Sequence, residues 1–99
     1  MKIIWTGEAL DKLTEIEEFI AKDSPQRAER FINYLIKHTE LISENPEIGR
    51  IVPEISNATI RELIIKEYRM VYKLQKNVIL ILSVFEGHRL LRRDELDIE

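Results

Sequence analysis

Cysteine is absent from the 99 residues. A disulfide framework and a cysteine-based zinc site are therefore excluded. Histidine occurs twice, as His38 and His88, too few for a three-histidine catalytic metal centre in one chain. No metal and no cofactor is expected. Three glycines and three prolines exclude a collagen-like or low-complexity chain. The longest apolar run, Val78 to Val84 with Ser83 inside it, falls well short of the roughly 20 residues a membrane-spanning helix needs. The first residues, Met1 to Trp5, run straight into patterned sequence without a signal-peptide pattern, so the cytoplasm is the expected compartment. No sequence-local catalytic motif occurs: there is no glycine-rich phosphate loop, no zinc-protease helix and no serine elbow.

What remains is ordinary for a compact soluble domain, with 44% hydrophobic and 33% charged residues. The length predicts a single domain over residues 1–99. The net charge of −3 conceals an asymmetry. Residues 1–60 hold 7 Lys/Arg against 11 Asp/Glu, a balance of −4. Residues 61–93 hold 8 against 3, a balance of +5, and residues 94–99 return −4. A whole-protein basic footprint for nucleic acid is missing, whereas a local basic surface is available.

The periodicities predict the fold. Lys2 to Thr6 reads as a strand. Thr6 can cap a helix over 7–22, where Leu10, Leu13, Ile16, Phe19 and Ile20 form one apolar stripe. Ser24 caps and Pro25 opens a second helix over 25–44, with Ala28, Phe31, Leu35 and Ile42 on one face, and Ile32 and Ile36 widening it. Two residues between the helices predict an antiparallel hairpin. Residues 45–58 read as an ordered loop whose apolar residues lie on the body. The pattern then becomes strand-like: Thr59 to Lys66, Tyr68 to Gln75, a turn at Lys76-Asn77, and Val78 to Phe85, which is apolar on both faces and therefore central. The tail from Leu90 to Glu99 has weak helical spacing. The expectation is an α+β domain, with an N-terminal strand and a helical hairpin packed on one face of an antiparallel β-sheet.

Candidate chemistry lies in the later strands. Tyr68 and Tyr72 alternate with Arg69, which could bind a phosphate or carboxylate bidentately or pair with Glu62 on the neighbouring strand. His88 follows the Gly87 break and precedes Arg89, as a loop acid–base candidate or a solvated loop residue. His38 reads as a surface residue near a helix C-terminus.

In order and spacing, these pieces resemble the ParE/RelE superfamily of type II toxins. The resemblance is carried by Trp5, Ala9 and Leu13; Ser24-Pro25 with Ala28 and Phe31; Asn45-Pro46-Glu47-Ile48-Gly49-Arg50; Arg61-Glu62-Leu63; Tyr68 to Tyr72; Val78 to Val84; and Gly87-His88-Arg89. It implies a small toxin held inactive by a cognate antitoxin that wraps it with a helix and an extended segment. ParE-like members poison DNA gyrase and are not enzymes, whereas RelE-like members cleave mRNA in the ribosomal A site. Under the RelE-like alternative the catalytic set is Lys66, Arg69, His88 and Arg89. This chain departs from that pattern: Glu62 and Ile64 stand where RelE-like toxins place lysines or arginines, no tyrosine follows Tyr72, and the protein is acidic. The ParE-like reading, a gyrase inhibitor, is therefore favoured, with a ribosome-dependent endoribonuclease or an inactive antitoxin-binding relic as alternatives. The expected partner-binding residues are Arg61, Arg69, Tyr72, Arg89, Arg92 and Arg93.

Overall fold

The computed structural model describes residues 1–87. The expected tail at 90–99 lies outside the described residues. The chain runs β1 (Lys2–Trp5), α1 (Gly7–Ala21), α2 (Pro25–Glu44), β2 (Arg50–Ile51), β3 (Ile60–Ile65), β4 (Tyr68–Gln75) and β5 (Val78–Glu86). Both predicted helix caps form. The Thr6 hydroxyl accepts the Ala9 N–H at 3.1 Å, and the Ser24 hydroxyl accepts the Arg27 N–H at 3.2 Å. Each satisfies one of the N–H groups that a helix start leaves unpaired.

The five strands form one sheet in the order β1-β5-β4-β3-β2. The last four strands by position pair antiparallel, while β1 pairs parallel with β5, from Lys2↔Val78 to Trp5↔Ile81. The sheet is thus mixed where an antiparallel one is expected. Between β1 and β5 the chain passes through the helical layer and the β3–β4–β5 meander, so β1 can enter β5's free side in the parallel sense. β5 is interior, as its two-faced apolar pattern predicts, and β4 is the middle strand. A bulge interrupts their register: Val71 faces Ser83 but Tyr72 faces Ile81. Ile81 and Val84, three residues apart, consequently both reach the core beneath the helices. The Thr6 hydroxyl lies 2.9 Å from the Ile81 carbonyl and 3.2 Å from that of Leu82.

Two cores flank the sheet. The first joins Ala9, Ile16, Ile32, Leu35 and Ile42 of the helices to Ile65, Met70, Tyr72, Ile79, Ile81 and Val84. Leu13, Ile16 and Ile20 on α1 and Ala28, Leu35 and Ile42 on α2 face inward as the spacing predicts, and the flanks of the stripes do not. On α1 the buried line is Ala9, Leu13, Ile16 and Ile20, while Leu10 and Phe19 are 49% and 69% exposed. On α2, Ile32 and Thr39 are buried and Ile36 is exposed. Ala9 and Ala28 are both buried, at 0% and 1% exposure. The second core covers the opposite face: Val52 and Ile55 pack on Ile60, Val71, Leu82 and Phe85. The segment after α2 therefore crosses the sheet edge, adds the two-residue β2, and lies over the far face as a strap.

Candidate functional site

Alternation along β4 puts Tyr68, Met70 and Tyr72 toward the helices and Arg69 and Val71 toward the strap. Arg69 is 4% exposed. Its guanidinium holds Glu54 of the strap in a two-toothed pair, Nη1 to Oε2 at 2.8 Å and Nη2 to Oε1 at 3.0 Å. Its Nε donates to Oε1 of Glu62 on β3, and its plane lies 5.4 Å from the Phe85 ring centroid. Both readings of Arg69 are met within the chain: it holds a carboxylate bidentately, that of Glu54, and it pairs with Glu62. Glu62 is itself buried and accepts from Arg50 Nε at 2.8 Å. The alternating chain Arg50–Glu62–Arg69–Glu54 thus ties β2, β3, β4 and the strap together. Its hydrogen bond to Glu54 pushes the Arg69 guanidinium pKa further up, against the opposing effect of burial.

Arg61 and Tyr72 face each other across β3 and β4 and fix the start of the strap. The Tyr72 hydroxyl donates to the Pro46 carbonyl at 2.8 Å and accepts the Gly49 N–H at 2.9 Å. Arg61 donates to the Gly49 carbonyl at 2.9 Å and approaches Glu47 at 3.5 Å. Gly49 fits because it has no side chain. A Cβ there would stand 2.6 Å from both the Glu62 carbonyl oxygen and the Tyr72 hydroxyl. Burial raises the Tyr72 phenol pKa above 10.0, partly offset by the Gly49 N–H.

Lys66 lies apart from this network. It occupies the two-residue β3–β4 turn with φ 55°, and its ammonium sits 4.8 Å from the Tyr34 ring centroid and 5.9 Å from that of Phe31. The fold therefore sends Lys66 to the helical side and Arg69 to the strap side, and does not converge them. His38 accepts or donates at Nδ1 to the Tyr34 carbonyl at 2.8 Å, within its own helix. His88, Arg89, Arg92 and Arg93 lie outside the described residues.

Sequence reasoning missed two features. Glu54 stands 15 residues from Arg69 in an irregular segment, with no periodicity to signal the pair. The second is a groove at the hairpin tip. Phe19, Phe31, Tyr34 and Tyr68 line an open cavity of about 540 Å³ with Arg30 and Lys66 on its rim. A second cavity of about 430 Å³ shares Phe19 and Tyr68 and runs on between α1 and the end of β5, past Glu15 and Glu86. Burial, then Glu86 and Glu67, raise the Tyr68 phenol pKa. The exposed position of Phe19 was legible only from its offset against the Ala9–Ile16–Ile20 line.

Comparison with known proteins agrees with this architecture. Residues 3–91 match the family described as the ParE toxin of the type II toxin–antitoxin system parDE. The chain is 36% identical over 64 residues to Toxin RelE2 of Caulobacter vibrioides, covering 65% of this chain and 68% of that protein. It is 33% identical over 90 residues to Putative toxin Y4kP of Sinorhizobium fredii, covering 89% of this chain and 90% of that one. A chain from the chromosomal ParDE system of P. aeruginosa shares the fold, with a TM-score of 0.73 at 17% identity, over 87% of this chain and 95% of the other. With its strand, helical hairpin, five-stranded sheet and nearly full-length family match, this chain belongs to the ParE toxin family of type II toxin–antitoxin systems.

Proposed function

We propose that this type II toxin acts in the cytoplasm by inhibiting DNA gyrase, and that a cognate antitoxin neutralises it. One observation carries the choice of target. Arg69, the centre of the basic set that mRNA cleavage would use, is 4% exposed and committed to Glu54 and Glu62. A guanidinium enclosed by two carboxylates is poorly placed to stabilise a scissile phosphate, because the carboxylates already meet its charge and repel the substrate's. Lys66 points to the other side of the sheet. The acidic balance of the chain points the same way, since docking into ribosomal RNA gains affinity from positive charge. Among the described residues no helix is long and apolar enough to cross a membrane.

In this reading Arg61, Arg69 and Tyr72 serve partner binding by fixing the strap, which displays Ile48, Arg50 and Ile51 at the sheet edge. Arg89, Arg92 and Arg93, outside the described residues, are proposed for the same partner on their charge alone. The test sets purified chain against relaxed plasmid with gyrase, and separately against translating ribosomes. Loss of supercoiling with intact mRNA is expected. Cleaved mRNA with unaltered supercoiling reverses the assignment, and no effect in either reaction makes the chain an inactive relic.

A further inference from the structure

The strap covers only part of its face of the sheet. Val52 and Ile55 pack on Ile60, Val71, Leu82 and Phe85, and none of these residues belongs to β1. Beyond them one row crosses three strands: Lys73 faces Leu80, and Leu80 faces Ile4. The next row sets Gln75 against Val78, and Val78 against Lys2. Alternation puts both rows on the strap side, since Ile3, Trp5, Leu74 and Ile79 join the core beneath the helices. Ile4 is 38% exposed and Leu80 is half-buried, so an apolar floor reaches the surface between the lysines.

The charges at this end of the sheet have one sign. Lys2, Lys73 and the turn residue Lys76 stand there with the amides of Gln75 and Asn77. Thr59 is brought to the same end, where its carbonyl accepts the Leu74 N–H at 2.7 Å. No Asp or Glu occurs in residues 1–7, 55–61 or 68–85. The carboxylates of Glu54 and Glu62 are drawn instead to Arg69, four residues back along β4 and about 13 Å away at the usual rise per residue. Lys12, Arg27, Arg50, Arg61 and Arg69 each have an acidic partner in the chain. Among the described residues, Lys2, Lys73 and Lys76 take part in no ion pair. A cationic patch that an otherwise acidic chain leaves unneutralised attracts a polyanion.

We propose that this end of the sheet binds the phosphate backbone of duplex DNA. The inference rests on the gyrase reading for the source of the polyanion, because a protein seated on gyrase meets the duplex that gyrase holds. It adds a second contact, to the nucleic acid itself. Lys2 and Lys73 stand two strands apart, about 10 Å across the sheet, which matches roughly three base-pair steps along one DNA strand. Lysine ammonium groups serve here as point charges, and the neighbouring amide and hydroxyl groups are further donors to phosphate oxygens. Among the described residues no arginine or aromatic side chain shares these two rows to read a base edge or stack on a base, so the contact is independent of sequence. Three phosphate contacts hold DNA weakly by themselves, and they reinforce a protein–protein contact without replacing it.

The direct measurement is fluorescence anisotropy of a short labelled DNA duplex, titrated with the whole chain across a range of low salt concentrations. With three phosphates neutralised, log affinity is expected to fall against log salt with a slope near about −2.7. Lys2→Gln, Lys73→Gln and Lys76→Gln should each reduce that slope by about 0.9, which weakens binding about 8-fold at a salt concentration of about 0.1 M. Lys37→Gln, on the exposed side of α2, makes the same change in net charge and is expected to stay within about 2-fold. Urea midpoints are read for every variant, and Lys73→Arg, which keeps the charge in the strand, should bind like the wild type. In the supercoiling assay the triple lysine variant is expected to need at least about 10-fold more protein for the same inhibition. Wild-type chain that ignores the duplex at low salt, or binding that the triple variant retains, overturns the surface, while wild-type inhibition of supercoiling keeps the gyrase reading. Lysine-dependent duplex binding without inhibition leaves the surface standing and removes the gyrase reading. An RNA of equal charge bound about 10-fold more tightly than the DNA overturns the proposal. So does polyglutamate that displaces the duplex as well as unlabelled DNA of equal charge, since it assigns the surface to an acidic protein segment.

Discussion

Replacing Arg69 by alanine strands the Glu62 carboxylate. In the intact protein Glu62 has a side chain with 0% exposure and two cationic partners. After the change only Arg50 remains, and its own side chain is 63% exposed, so water competes for it. Removing one member of a buried ion pair costs about 3–5 kcal/mol, chiefly because the other charge stays buried. The stacking on Phe85 adds part of the roughly 0.5–2 kcal/mol of a cation–π contact, not independently of the first term. Arg50→Ala removes the other partner of the same carboxylate from a solvated position and should cost only about 0.2–1 kcal/mol. A domain of this size has roughly 5–15 kcal/mol to lose, so Arg69→Ala removes about a fifth of it or more. With a urea slope of about 1–3 kcal/mol per molar, the midpoint should fall by at least about 1 M for Arg69→Ala and by a few tenths for Arg50→Ala. A third variant separates charge from packing. Arg69→Met combined with Glu62→Leu and Glu54→Gln removes every carboxylate that Arg69 held, leaves only the solvated Arg50, and should recover most of the loss, since apolar replacements of buried pairs are often neutral. Equal, small shifts for Arg69→Ala and Arg50→Ala would refute the reasoning. A triple variant as unstable as Arg69→Ala would place the cost in packing.

Tyr72→Phe leaves the Gly49 N–H and the Pro46 carbonyl without their partner, and should cost about 1–3 kcal/mol in urea unfolding. Because burial raises the Tyr72 phenol pKa above 10.0, the folded state keeps the proton that the unfolded chain releases. Stability should therefore be level through neutral pH and fall as pH rises past about 10, less steeply in Tyr72→Phe. Gly49→Ala forces a methyl group against the Glu62 backbone and the Tyr72 ring, and should lower the thermal midpoint by an amount equivalent to about 1–3 kcal/mol. Thr6→Ala should cost more than Ser24→Ala, at about 2 against 1 kcal/mol in the same assay, since Thr6 also contacts two carbonyls of β5.

Much of this fold was legible because its signals are local. Capping by Thr6 and Ser24, the proline at the start of α2, the change from helical to alternating periodicity, and the turn at Lys76-Asn77 each act within a few residues. The two-faced apolar pattern of β5 placed it inside the sheet, but the second layer was not legible, since the strap that supplies it carries only Val52 and Ile55 in an aperiodic stretch. The parallel placement of β1 was not legible, since a four-residue strand says nothing about the direction of its partner. The Glu62–Arg69 pair could be anticipated from strand neighbours. Glu54 could not, because the path of an irregular segment is decided by tertiary packing. The groove escaped notice for a subtler reason. Leu10 and Phe19 satisfy helical spacing, but the face that meets the core is centred on Ala9, Leu13, Ile16 and Ile20, and a stripe wider than that face leaves its flanks in water.

The pairing of β1 with β5 also bears on how the protein is made. Its partners lie 75 residues apart at Thr6 and Ile81, whereas β3, β4 and β5 are joined by two-residue turns. Closing the long loop is entropically slower than zipping the meander. On the ribosome, the helical hairpin emerges first, with its apolar stripe waiting for a sheet that is still unsynthesised. The sheet thus cannot close until β5 has been synthesised. Conservative truncations in β1, such as Ile3→Val, should accordingly speed unfolding and leave folding rates nearly unchanged, whereas Ile79→Val in β5 should slow folding. A β1 variant that slows folding as much as one in β5 would move the nucleus to the parallel pair.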